Sequence, residues 1–181
     1  MTLSVNLGLR RGSVTISEYD LAWPQAFAVE AVALRLIVGE FIREIYHFGS
    51  TSVPGAAAKP IIDIAAVVPE LSLPTPVLRK LQDRGYGLNW IHVLPDRICL
   101  TKGTPVTHHL YLVTENCPTL SRWLSFRDAL RASARHRRQY ESLKRKLGSL
   151  HPHNRMAYTE GKSEFVQEVL EFWDHRKGSS K

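Results

Sequence analysis

HFGSTSVPGAAAKPIIDIAAVV, residues 47–68, is the stretch on which the reading of this chain turns. Its second half, Ile61 to Val68, is an unbroken apolar run interrupted by one carboxylate, Asp63, the pattern of a central strand covered on both faces. Its first half is a loop of small residues, Gly49, Ser50, Thr51 and Ser52, followed by Lys59. A Walker phosphate loop is excluded, because Gly55 is followed by three alanines and then Lys59-Pro60, and the proline pushes Lys59 toward extended backbone. No G-x-S-x-G is present, so Ser50 and Ser52 are poor hydrolase nucleophiles. What remains is a glycine that lets backbone approach a ligand, several hydroxyls, a lysine and a strand aspartate. That set suits phosphate oxygens and a divalent cation. A lone carboxylate in a covered strand needs a partner, so the alternative is a buried Lys59–Asp63 or Arg–Asp63 pair that fixes the loop.

Working outward, Val14 to Ile16 reads as a short strand, and Tyr19 to Pro24 leads into a helix with Pro24 in its first turn. Ala26, Phe27, Glu30, Ala33, Leu34 and Ile37 form its inward stripe, ending near Gly39. FIREIYHF has a weak strand alternation running into Gly49. PTPVLRKLQDRGY predicts a short helix closed by Gly85, and GLNWIHVL, DRICLT and HHLYLV predict three further strands. From Thr119 the pattern is helical, with Trp123, Phe126, Leu130 and Ala134, then Tyr140, Leu143 and Leu147, then Phe165 to Trp173 as stripes. His151-Pro152-His153-Asn154 separates the later two, with Asn154 a candidate N-cap. The order predicts an α/β (α+β) fold with a mixed sheet and a C-terminal helical layer. A single domain is expected over 1–177, its helical part from 119, with a flexible tail at 178–181.

The net charge of +7 has an address: residues 122–146 carry 9 basic and 2 acidic side chains, while the flanking segments balance. A phosphate-rich partner at that segment and a solvated helix face are both consistent with it. The stripe leaves Arg131, Arg135, Arg138 and Arg145 to outward faces. The aromatics there, Trp123, Phe126 and Tyr140, lie on the apolar stripe, so base stacking is not supported and nucleic acid ranks last among partners. Cys99 and Cys117 are too few and too far apart for a disulfide framework or a C-x-x-C metal site. No apolar run reaches bilayer length, and a cytoplasmic protein with no membrane partner is expected.

HFGSTSVPGAAAKPIIDI, THHLYLV, LSFRDALR, YESLK and AYTEGKSEFV, in that order, resemble the GrpB-like family from about Tyr19 to Trp173. That family resembles the nucleotidyltransferase fold superfamily. There a Gly-Ser pair after the first core strand contacts nucleotide phosphates, and carboxylates on neighbouring strands hold Mg2+. The resemblance implies phosphate contacts at Gly49, Ser50, Thr51, Ser52, Lys59 and Lys162. It further implies Asp63 and His109 as metal ligands, and Asp63, Lys59 and Arg127 in catalysis. The chain departs from the superfamily at Ala65, where a second carboxylate would share the face of Asp63. The third carboxylate has no acidic match in HHLYLV, where His109 and Tyr111 share a face and Tyr111 stands where relatives have a second histidine. Nucleotidyl transfer from a nucleoside triphosphate with Mg2+ to an unidentified acceptor is the implied activity. The alternative is a non-catalytic module for a nucleotide or other phosphate ligand, marked by Ala65. His109 is either a site residue or a hydrogen-bonded strand histidine, and Arg127 either reaches a ligand or docks its helix. His108, His151 and His153 read as solvent-facing. Tyr158 and Lys162 either close the pocket or form a surface pair.

Overall fold

The computed structural model describes residues 5–178, with the side chains of 88–93, 177 and 178 left aside. Helix α1, Trp23–Val38, starts with proline in its first turn and is followed by a 3₁₀ turn at Gly39–Phe41. Strand β1, Glu44–Phe48, leads through a 3₁₀ turn at Ser50–Ser52 to β2, Ile62–Val67. Helix α2, Thr75–Asp83, precedes the meander β3, Tyr86–Leu94, β4, Arg97–Lys102, and β5, His108–Val113. Four helices follow: α3, Pro118–Ala132; α4, Ala134–Leu150; α5, Arg155–Glu160; and α6, Ser163–Gly178. Residues 179–181 of the expected tail lie outside the described residues, and Gly178 ends α6.

The strands form one mixed sheet in the order β1-β2-β5-β4-β3. Only β2 and β5 run parallel, with Asp63 beside His109, and the other neighbours are antiparallel. Side chains on a strand alternate between faces. Ile62, Ile64 and Ala66 of β2 therefore join Leu110 and Leu112 of β5 and Trp23, Leu34 and Val38 of α1 in the main core. Each such aliphatic contributes about 1.5–3 kcal/mol by leaving water. Asp63, Ala65 and Val67 face the other way, where Ala65 and Val67 pack with Phe48, Cys117 and Leu120 under α3. Having apolar neighbours on both faces is why β2 reads as continuously apolar, and Asp63 is its exception.

Several expectations change. Residues 14–16 form no ladder; the N-terminal segment is held by isolated bridges, Leu9 to Val106 and Ser17 to Ala58. The helical stripe running through Ala134 is broken at Ser133, whose backbone is extended and whose Oγ accepts the His136 N–H, so two helices stand there. Asn154 caps α5 as expected, accepting the Ala157 N–H at 3.1 Å, but α5 is short and Lys162 falls in the turn before α6. His108 is not solvent-facing. It is buried behind the sheet near Glu30, which is itself buried and held by Lys102 at 2.6 Å, Arg84 at 3.0 Å and the Tyr86 hydroxyl at 3.1 Å. A buried carboxylate with three donors is the satisfied arrangement such a charge requires.

Candidate functional site

On the α3 side of the sheet, β2 and β5 place Asp63 and His109 next to each other. His109 Nδ1 lies 2.8 Å from Asp63 Oδ1, and Arg155 Nη2 lies 3.1 Å from His109 Nε2. A guanidinium can only donate, so Nε2 is the acceptor and the ring proton sits on Nδ1, donated to the carboxylate. Asp63 is thus partnered by a hydrogen bond from a neutral His109, and not by the Lys59 or arginine ion pair of the alternative reading. The ring leaves no lone pair for a metal, because both nitrogens are engaged. Burial by itself raises the Asp63 pKa, but the His109 hydrogen bond and the charges of Lys59 and Arg155 outweigh it and hold the carboxyl below its usual value.

Gly49 joins β1 to the loop with a φ of +70°, and a Cβ there would overlap Asp63 Oδ2. The loop is held from behind through its carbonyls. Arg127 Nη1 donates to His47 O at 3.1 Å, Arg131 donates twice to Ser52 O at 3.1 and 2.7 Å, and Lys144 Nζ donates to Ala57 O. Ser52 Oγ donates to Gly49 O at 2.6 Å. Thr51 is buried, its hydroxyl 3.0 Å from His47 Nε2 and donating to Ile61 O at 3.3 Å. The hydroxyls expected at Thr51 and Ser52 to meet a ligand are therefore committed to the loop itself. Ser50, half-buried and bonded to the Tyr140 hydroxyl, lines the cleft.

The cleft is a cavity of about 620 Å³ roofed by α3, α4 and the α5–α6 turn. Six cationic side chains line it, Lys59, Arg122, Arg127, Lys144, Arg155 and Lys162, against one carboxylate, Asp63. Lys59 and Lys162 lie over the ring of Tyr158, with Nζ 5.2 and 4.4 Å from its centroid. Tyr158 and Lys162 thus both line the cleft and are not a pair on the outer surface. Burial lowers the lysines, Lys59 and Lys144 to about 7 and Lys162 to about 8, with the neighbouring cations adding to the effect. Cations crowded in this way give the cleft a positive potential, and a nearby anion would favour their protonated forms. Phe48, Tyr111, Trp123 and Phe126 give part of the wall an apolar, aromatic character.

The donor set limits what metal chemistry fits. Among the described residues no group of three or more His, Cys, Asp or Glu is placed to hold an ion. Asp63 has one oxygen committed to His109, and Ala65 packs in an apolar cluster. One Mg2+ ion that brings most of its oxygen ligands as ligand phosphates and water fits this set; a two-metal centre does not.

Lys144, Arg155, Arg122 and Tyr140 were not foreseen as site residues. Lys144 had a detectable signal, since Tyr140, Leu143, Lys144 and Leu147 share one face at helical spacing. Arg155 had none, because its approach to His109 depends on how α5 folds back over the sheet. Of the nine basic residues at 122–146, five are engaged internally: Arg122 with Gln167, Arg127, Arg131, Lys144, and Arg145 with Glu18 and Glu141. Arg131 is exposed as expected, yet its guanidinium reaches back to the Ser52 carbonyl. Both thiols are free, Cys117 buried and Cys99 half-buried. Among the described residues no helix is long and apolar enough to cross a membrane.

A family model described as "GrpB protein" matches residues 13–171. The UPF0157 protein BH1888 of Halalkalibacterium halodurans is 36% identical over 163 residues, 87% of this chain and 81% of that protein. The crystal structure of conserved protein GrpB from Enterococcus faecalis superposes with a TM-score of 0.81 at 32% identity, covering 90% of this chain and 99% of that one. The Cid1 poly(U) polymerase in its MgGTP-bound crystal structure superposes with a TM-score of 0.50 at 16% identity, over 73% of this chain and 43% of that one. At that identity the likeness is one of fold, and the mixed sheet with its flanking helices is nucleotidyltransferase-like.

Proposed function

The chain belongs to the GrpB family, and from that premise we propose that its cleft binds a nucleoside triphosphate and transfers the nucleotidyl group to an acceptor. The observation that carries this reading is the convergence of six cationic side chains on a glycine loop and one carboxylate, within a nucleotidyltransferase-like fold. The triphosphate lies against Ser50, Lys59, Lys162 and Arg155, and Arg127 and Arg131 keep the loop in shape from behind. The aromatic wall of Phe48, Trp123 and Phe126 takes the base. In the transfer, the acceptor oxygen forms a bond to the α-phosphorus, the α–β anhydride bond breaks, pyrophosphate leaves and the acceptor's proton passes to solvent. The lysines and Arg155 neutralise charge building on the pyrophosphate, the kind of preorganised stabilisation that contributes most to such reactions. A Mg2+ ion would be held by Asp63, through the oxygen that His109 leaves free, and would supply further charge neutralisation. His109 and Arg155 hold the carboxylate in place.

Calorimetric titration of the four nucleoside triphosphates, with and without Mg2+, tests the binding. The parent protein binds at least one of them, Lys162→Ala weakens binding, and Asp63→Asn removes its Mg2+ dependence. No binding of any triphosphate at millimolar concentration sinks the proposal. A second reading, a non-catalytic phosphate-ligand module, is favoured by Ala65 and by the single uncommitted carboxylate oxygen. Pyrophosphate release in the presence of candidate acceptors separates the two.

A further inference from the structure

The sheet face that carries Asp63 does not end at His109. Pairing register continues the row onto β4, where Thr101 stands opposite His109 and Cys99 opposite Tyr111. With strands about 4.8 Å apart, Thr101 lies roughly 10 Å from Asp63 across the sheet. A second cavity of about 450 Å³ opens over this row, lined by Arg11, Gly12, Cys99, Thr101, His109, Tyr111 and Arg155. His109, Tyr111 and Arg155 line both cavities and form the wall between them.

The chemistry of the second cavity is as one-sided as that of the first. Its charged members are two guanidiniums, and among its lining residues there is no carboxylate. Desolvation and the nearby charge of Arg155 lower the Arg11 pKa. Arg155 spends one N–H on His109 and has others to offer. Two guanidiniums lining one concave surface present several N–H donors from two sides to an oxyanion held between them. The floor is neutral: burial pushes the Cys99 thiol up to about 11, and Thr101 adds a hydroxyl.

We propose that this smaller cavity is a second ligand site, taking the oxyanion group, carboxylate or phosphate, of the molecule that reacts with the nucleotide. Arg11 and Arg155 grip the oxyanion, and the wall residue Arg155 touches both reactants at once. As the seat of the second reactant, the site rests on the nucleotide reading of the larger cleft.

Cys99 is a reporter built into the floor. Its slow alkylation by iodoacetamide at about pH 8.5 is followed by peptide mass spectrometry, with the buried Cys117 as internal reference. ATP is present at saturation so that the larger cleft is filled. Inorganic phosphate at a few times its Kd slows modification of Cys99 by about three-fold or more, and not that of Cys117. Acetate in a parallel arm distinguishes a carboxylate site from one that demands phosphate. Arg11→Ala and Thr101→Glu, the latter placing a negative charge in the cavity, both abolish the protection while leaving ATP affinity within about two-fold. Unchanged alkylation under both anions, or protection that persists in Thr101→Glu, overturns the proposal. Failure of ATP to bind the parent is read in its own titration and defeats the nucleotide reading, whereas ATP binding with no anion protection defeats this inference alone.

Discussion

The α-carbon of Gly49 stands so close to the Asp63 carboxylate that a methyl group on it would overlap Oδ2. Strand pairing produces this contact: Phe48 is opposite Asp63 in the β1–β2 ladder, so the next residue turns directly over the carboxylate. A left-handed backbone at Gly49 then swings the chain into the Ser50–Ser52 turn. The glycine is required twice, once by its φ and once by the space above Asp63.

Gly49→Ala separates these two demands when compared with Gly55→Ala. Gly55 has a similar φ of +75° and nothing within 4 Å of its would-be Cβ. Gly55→Ala costs about 1 kcal/mol of backbone strain. Gly49→Ala costs more, on the order of 2–4 kcal/mol, because Asp63 must also move and its His109 bond must bend. Urea unfolding of the two variants checks the difference, and equal losses would show that the contact with Asp63 carries no energy. Nucleotide binding falls in Gly49→Ala alone.

Anion binding is linked to proton uptake. In the empty cleft, burial lowers Lys59 and Lys144 to about 7 and Lys162 to about 8, so part of their charge is missing at pH 8. A bound polyphosphate favours their protonated forms and raises these pKa values again. Binding therefore takes up protons above about pH 7, and affinity falls as pH rises from 7 toward 10. Calorimetry in buffers of different ionisation enthalpy reads the proton count directly, and Lys59→Met lowers it. A count of zero at pH 8 contradicts the assignment of these lysines to the ligand.

The parts of the architecture legible in the sequence were those governed by local periodicity. The apolar run of β2, the meander of β3 to β5 and the Asn154 cap all follow from side-chain alternation or capping chemistry within a few residues. The pairing of Asp63 with His109 was partly legible, because both stood in strand patterns and the family resemblance put them in one site. Which atoms meet was not, since that depends on the β2–β5 register and on α5 bringing Arg155 to Nε2. Helical spacing puts Lys144 on the inward face with Tyr140 and Leu147, but its acceptor, Ala57 O, lies far away in sequence and is not legible there. His108 was misplaced for a related reason: its burial comes from α1 and the Glu30 network, far away in sequence.

His47 and His108 make the fold sensitive to mild acid. His47, stacked on Phe27 at 4.6 Å and near Arg127 and Arg131 as well as Asp63, is held to about 4 chiefly by burial. His108, facing Glu30, Lys102 and Arg84, is held to about 4 for the same reason. The unfolded chain binds both protons at the ordinary histidine value near 6.5. Stability is thus complete above about pH 6.5 and is lost as pH falls toward 4, by roughly 3 kcal/mol for each group. Unfolding free energies measured through this range slope by about two protons, and His108→Gln reduces the slope to about one. A flat profile between pH 6.5 and 4.5 rules out neutral burial of both rings.

Ala65→Asp puts the missing second carboxylate back on the face of Asp63, and its outcome depends on what surrounds position 65. Ala65 is completely buried and packs with Phe48, Val67 and Val113, with Tyr111 beside them. An aspartate there is unpaired and costs on the order of 2–5 kcal/mol without metal, or remains protonated. Its Cβ still points to the same side of the sheet as that of Asp63, so a divalent ion that reaches both carboxylates recovers part of the loss. Mg2+ or Mn2+ therefore raises the Tm of Ala65→Asp by several degrees more than it raises that of the parent, and the double variant Asp63→Asn/Ala65→Asp shows no such gain. If divalent ions leave the Tm of Ala65→Asp unchanged, the apolar packing against Tyr111 closes position 65 to solvent and ion alike. The absence of a second carboxylate would then belong to the fold of this chain and not to one reversible substitution.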